Sequence, residues 1–317
     1  MNEKQQKHDI YEQITGAIIA AIEEGTATYE MPWHTLSTPI NAATRKAYRG
    51  INTLTLWCIG RKRCYATQEW ATYRQWSEMG AQVRRGERSA SVVFWKFLES
   101  SDDAVEEVQE STATSRHIPL AREYHVFNAA QVEGYVPQPD WRLAESERIT
   151  NAERFFNALP GVVKHGGDRA YYSSVTDEIQ IPPFAQFKSA AGYYGTLGHE
   201  YTHWTGTPGR LSRDLSGRFG DTSYSMEELI AELGSAFLCA DLGLGLEPRR
   251  DHAGYIYSWL SVLKGDKRAL FTAASRAQKA AAYLEELQAS RQVPARSRLI
   301  SPGGGSLPGD RHGSAEK

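Results

Sequence analysis

The chain has 317 residues, 41% of them apolar, and a formal net charge of -2. That length can bury two modest cores, and no apolar stretch is long enough to cross a bilayer. The charged opening Met1-Asn2-Glu3-Lys4 lacks the apolar segment of a secretory signal, and the odd set Cys58, Cys64 and Cys239 has no metal-ligand spacing. Both features fit a reducing, cytoplasmic setting with no membrane partner.

In chain order, Asp9 caps a predicted helix in which Ile10, Ile14, Ile18 and Ile22 recur at four-residue spacing, and Gly25 stands where it stops. Between residues 45 and 96, eleven Lys/Arg face three acids, Glu69, Glu78 and Glu87, so this stretch is basic although the chain is not. Residues 91–98 and 123–127 are β-branched and aromatic runs that predict paired strands. The connection between them carries six acids and no base over residues 99–110, the composition of a solvated loop. Pro137, Pro139 and the polar stretch up to Ser146 mark a boundary. The expected organisation is α+β: a mixed α and β domain over residues 1–136, a linker over 137–146, and a mainly helical domain with a small sheet over 147–290. A tail over 291–317, rich in Pro, Gly, Ser and Arg, has no apolar period.

In the second domain, residues 178–181 predict a strand closed by Pro182-Pro183, and Ser189 is placed to cap the helix carrying His199-Glu200-Tyr201-Thr202-His203. His199 and His203 share one helix face a single turn apart, so both imidazoles reach one ion. Glu200 is one residue along, positioned to touch a water on that ion without ligating it, as a general base must. A surface helix with two coincidental histidines is the bland alternative. Catalytic zinc takes three protein ligands, and Thr205-Gly206-Thr207-Pro208-Gly209 supplies no third histidine. Glu228 and Glu232 lie four apart on a later helix whose face Leu229, Leu233, Ala236, Phe237 and Ala240 is apolar. Acids turned inward from such a helix need a cation or an imidazole. Glu228 is assigned as third ligand and Glu232 as hydrogen-bond partner of a ligating imidazole, with Glu227 as the competing ligand. Zinc is the expected metal, with manganese as substitute. Tyr224 is the candidate oxyanion donor; His165 and His252 receive no role.

The basic stretch is interleaved with Tyr48, Trp57, Tyr65, Trp70, Tyr73, Trp76 and Trp95, with Trp33 just upstream. Cations along a phosphate backbone and rings on which bases stack are what sequence-tolerant binding of single strands requires. Arg49, Arg74, Arg84, Arg85 and Lys96 are the candidate cations and Trp33, Tyr48, Trp57, Trp70 and Tyr73 the candidate rings. Core packing is the competing reading for any one tryptophan. Duplex DNA would bind more weakly.

Several segments together resemble the N-terminal single-stranded-DNA-binding domain of ArdC-type antirestriction proteins, a module that also opens TraC-type primases. They are Ile10-Tyr11-Glu12-Gln13-Ile14-Thr15, Pro32-Trp33, Pro39-Ile40-Asn41, Tyr48-Arg49-Gly50-Ile51-Asn52, Leu56-Trp57, Trp70-Ala71-Thr72-Tyr73-Arg74-Gln75, Gly80-Ala81-Gln82-Val83-Arg84-Arg85-Gly86-Glu87 and Val92-Val93-Phe94-Trp95-Lys96. His199-Glu200-Tyr201-Thr202-His203-Trp204-Thr205-Gly206, Arg210-Leu211 and Glu227-Glu228-Leu229-Ile230-Ala231-Glu232 resemble that family's zincin-like metallopeptidase domain. The resemblance adds Asn52 and Gln75 to the candidate strand-binding residues. It implies a plasmid-borne factor that shields incoming conjugative DNA from host restriction, with an unidentified protein substrate or a restriction enzyme as protein partner. The alternative is a non-catalytic shield or replication accessory protein whose metal site is structural.

Overall fold

The computed structural model describes residues 9–27, 31–34, 37–98, 118–137, 144–218, 221–246 and 253–292. The acidic connection at 99–110, most of the expected linker and nearly all of the expected tail lie outside these residues, as does His252.

Helix α1 (Ile10–Gly25) begins where Asp9 Oδ1 accepts the Tyr11 amide at 3.0 Å, and Ile14, Ile18 and Ile22 are buried along one side. Each buried isoleucine contributes about 1.5–3 kcal/mol over its exposed state. After the short β1 (Ile40–Asn41), helix α2 (Ile51–Lys62) starts at Gly50, whose positive φ of 58° suits a residue without Cβ. Then come β2 (Glu69–Thr72), α3 (Tyr73–Glu78), β3 (Gln82–Val83), β4 (Ala90–Leu98), β5 (Ile118–Asn128) and β6 (Val132–Glu133). The main sheet has the order β1-β2-β5-β4; β1 and β2 are parallel and the other pairings antiparallel, with Val92 opposite Tyr124. The two expected strand runs are thus neighbours in one sheet. β3 and β6 form a separate ribbon.

The second half opens with α4 (Glu145–Asn157) and a three-stranded sheet of β7 (Val162–His165), β8 (Tyr171–Ser173) and β9 (Glu178–Ile181) in the order β7-β9-β8. Four helices follow: α5 (Ala190–Trp204), α6 (Thr222–Asp241), α7 (Ala253–Gly265) and α8 (Ala269–Gln292). Ser189 Oγ accepts the Gly192 amide at 3.0 Å and so caps α5. Both α5 and α6 are buried over most of their circumference, the signature of interior helices.

The largest core draws on both halves. Ile14, Ile18, Ile22, Trp33, Leu54 and Trp57 belong to the same buried cluster as Leu229, Phe237, Trp259, Leu270 and Ala274. Ring pairs Trp33–Trp259 at 6.3 Å and Trp57–Phe237 at 5.8 Å tie the segments together. Two smaller clusters lie under the main sheet and beside α3.

Candidate metal centre and nucleic-acid interface

Glycine and small side chains let α5 and α6 cross closely. A Cβ on Gly234 would stand 2.6 Å from Thr202 Oγ1, and one on Gly198 would stand 3.3 Å from Ser235 Oγ. Ser235 Oγ donates to the Gly195 carbonyl at 2.7 Å, fixing the register of the crossing. That register brings Glu228 of α6 against the two histidines of α5.

His199 Nε2 and His203 Nε2 are 3.2 Å apart. Glu228 Oε2 lies 3.4 Å from the first and its Oε1 3.5 Å from the second. Two facing nitrogen lone pairs and a carboxylate repel unless a proton or cation lies among them. Tetrahedral zinc with bonds of about 2.0–2.1 Å requires ligand separations of roughly 3.3 Å, close to the three distances found, so this donor set fits a divalent ion. The local charge says the same. Burial would push the His203 imidazole down, but Glu227 and Glu228 raise it to about 10. Burial opposes ionisation of Glu228, yet the two imidazoles hold its carboxyl well below the usual carboxylate range.

Outer partners orient these donors. His203 Nδ1 is 3.2 Å from Glu227 Oε1. Arg213 grips the same carboxylate with Nε at 3.0 Å from Oε2 and Nη2 at 2.8 Å from Oε1. A proton on Nδ1 facing Glu227 leaves the Nε2 lone pair for the metal. Glu227, the competing ligand in the sequence, therefore faces away from the ligand cluster. On the other side, Glu232 Oε2 lies 3.8 Å from His199 Nδ1, and Glu232 Oε1 accepts the Trp33 indole N–H at 3.1 Å. Sequence reasoning missed Arg213 and the Trp33 contact. The Thr205–Gly206 stop after the motif, followed by Arg210 and Arg213, was the available signal for a strap returning to it.

Glu200, 4% exposed, lines a cavity of about 280 Å³ with the ligand trio, Tyr224 and Tyr255. Tyr224 and Tyr255 hydroxyls are 3.1 Å apart. Burial, the Tyr255 hydroxyl and the Glu228 charge all push the Tyr224 phenol upward, so it stays a hydrogen-bond donor. Tyr255 has no sequence signal beyond being one tyrosine among sixteen. Ala170, Tyr171, Tyr172 and Ser174, in and around the edge strand β8, form another wall. His165 instead pairs with the Tyr193 hydroxyl at 2.9 Å, away from the ligands.

The candidate strand-binding residues divide. Trp33, Trp57 and Trp70 are at most 1% exposed and offer no face to a base; their place is the core, where a large ring excludes most water. Asn52 is also committed: its side-chain amide donates to the Val93 carbonyl at 2.8 Å and its Oδ1 accepts the Val93 amide at 2.7 Å. Gln75 completes a capping box with Thr72 on α3, and Tyr48 is 5% exposed. Arg49 and Arg74 remain exposed beside a groove of about 1210 Å³ that Tyr48, Asn52 and Gln75 also border. Tyr73, Arg84 and Arg85 lie on a separate shallow depression. Lys96 is in a part of β4 whose side chains are outside the described residues.

Comparison with known proteins places this geometry. Residues 150–276 match the zincin-like metallopeptidase family, and residues 8–127 match the N-terminal domain of the anti-restriction factor ArdC. The y4eC protein of Sinorhizobium fredii is 50% identical over 289 residues, covering 90% of this chain and 94% of that protein. A DNA primase TraC of Escherichia coli is 36% identical over 86% of this chain, which spans 27% of the primase. Crystal structures of ArdC from the R388 plasmid, 41% identical, cover 89% of this chain and 99% of theirs, with TM-scores of 0.75 for the metal-free form and 0.72 for the Mn(II)-bound form. A mixed α+β chain with this site, aligned over nearly the full length of a solved relative, belongs to the ArdC family of antirestriction proteins.

Proposed function

We propose that the protein binds single-stranded DNA and hydrolyses a peptide bond at the His199–His203–Glu228 centre, protecting incoming conjugative DNA in the cytoplasm. The observation that carries the peptidase reading is the convergence of the three donors at the wall of a cavity that also holds Glu200. A structural site has no use for a buried carboxylate beside an accessible coordination position. His199, His203 and Glu228 would hold zinc or manganese, which supplies Lewis acidity and a water whose pKa falls to about 7. Glu200 accepts a proton from that water and returns it to the leaving amine. Tyr224, kept protonated, donates a hydrogen bond to the developing oxyanion. An extended peptide can lie along the outer edge of β8, adding backbone hydrogen bonds without demanding a particular sequence.

Strand binding is supported by the match to the ArdC N-terminal domain and by the exposed Arg49 and Arg74 beside their groove. The shield alternative keeps the binding and drops the hydrolysis. Glu200→Gln separates the two: it should retain metal and strand affinity and lose protection of transferred DNA in a conjugation assay. Undiminished protection by this variant would leave only the shield.

A further inference from the structure

The groove beside Arg49 and Arg74 has a second wall that the N-terminal half does not supply. Helix α8 buries Leu270, Ala273, Ala274, Ala277, Ala281 and Leu284. Its opposite stripe presents Arg268, at the helix entry, then Thr272, Ser275, Arg276 and Lys279, at the spacing of a single face. The stripe is held against α2: the Gly50 amide donates to Gln278 Oε1 at 3.0 Å. Across the groove stand Phe94, 49% exposed, and Tyr124, edge to face at 5.4 Å.

Charge among the described residues of the groove is predominantly positive. Lys46, Arg49 and Arg74 face it from the N-terminal half, and Arg268, Arg276 and Lys279 from α8, against Glu78 as the one carboxylate among the lining residues. Glu78 is itself tied to Arg74 at 2.8 Å. The α8 cations form no ion pair among the described residues. From residue 268 to residue 279 the stripe runs roughly 16 Å at 1.5 Å per residue. At 3.4 Å per nucleotide a stacked strand would lay about four or five nucleotides along it. Exposed rings opposite a row of cations suit bases on one side and phosphates on the other.

We propose that the groove for single-stranded DNA is built by both halves of the chain, with Arg268, Arg276 and Lys279 of the metallopeptidase-like half contacting phosphates of a strand whose bases lie against Phe94 and Tyr124. This rests on the strand-binding reading above and adds the second wall and the side of the groove on which the phosphates lie.

The test uses the full-length chain and a fluorescent oligo-dT, with affinity measured by anisotropy at several salt concentrations. Arg268→Ala/Arg276→Ala/Lys279→Ala, all at exposed positions, should weaken binding about tenfold or more at low salt. The slope of log K against log salt should become shallower by about 2, three phosphate contacts at roughly 0.7 each. Metal content and thermal midpoint should stay at wild-type values. Phe94→Ala should weaken binding with the slope unchanged. Wild-type affinity and slope in the triple variant, while the parent binds, would overturn the shared groove and leave strand binding to the N-terminal half. A parent that does not bind oligo-dT at all overturns both readings. Displacement of the oligonucleotide by polyglutamate of equal charge would overturn the proposal in favour of an acidic peptide.

Discussion

Arg213 carries more of the metal centre than its place in an irregular segment suggests. It fixes Glu227, donates from Nη1 to Thr205 Oγ1 at 2.8 Å and from Nη2 to the Thr202 carbonyl at 2.6 Å, closing the strap over the end of α5. Arg213→Ala should lower metal affinity about 10–100-fold, the usual cost of losing an outer partner of a ligating histidine, read by competition with a chelating dye. Unchanged affinity would show that Glu227 holds His203 without help. At this scale His199 and His203 were readable because helix periodicity brings them to one face, and Glu200 because it follows the first of them directly in the chain. Glu227 and Glu228 are adjacent acids, and only the packing of α6 tells which one faces the two Nε2 atoms and which one faces His203 Nδ1. Arg213 was unreadable, since nothing periodic links residue 213 to residue 203.

At the scale of elements, the centre depends on the closeness of α5 and α6. Gly234→Ala places a methyl against the Thr202 side chain, where neither helix can withdraw without moving a ligand. Overpacking of this kind costs about 1–3 kcal/mol, so the variant should unfold earlier in denaturant and bind metal more weakly. Retention of both would mean that the crossing is more tolerant than its geometry implies. α1, β4, β5 and the two helices of the metal site could be read from caps and apolar spacing. The tryptophans could not. An aromatic beside a lysine looks the same in sequence whether it faces a base or the core, and Trp33, Trp57 and Trp70 chose the core. The role of α8 was hidden for the converse reason: its basic residues are diluted among alanines and lie far along the chain from the basic stretch they join in space.

At the scale of the whole molecule, the halves meet through polar as well as apolar contacts. Thr38 Oγ1 donates to Asp241 Oδ1 at 2.6 Å, and Arg49 Nη1 lies 3.3 Å from Asp241 Oδ2 and 4.0 Å from Glu285 Oε1. Burial, then the Asp241 charge, push the Glu285 carboxyl up to about 7, against the pull of Arg49. An acid whose pKa is higher folded than unfolded binds more protons in the folded state between the two values. Its stabilising effect is therefore complete below the unfolded pKa and is lost as pH rises through about 7. Glu285→Gln should raise the thermal midpoint above wild type at about pH 8 and lose that advantage near pH 5. Equal midpoints at both would place the carboxylate's titration elsewhere.

The indole of Trp33 has a wider consequence. It donates to Glu232, whose other oxygen lies 3.8 Å from His199 Nδ1. A fragment beginning after residue 144 would inherit the whole ligand set yet leave this carboxylate without its indole and the Trp259 ring with Tyr255 but without Trp33 beside it. The ligand set is thus not a portable cassette. Supplying the N-terminal half in trans should restore ion retention to such a fragment, while a peptide ending before Trp33 should not.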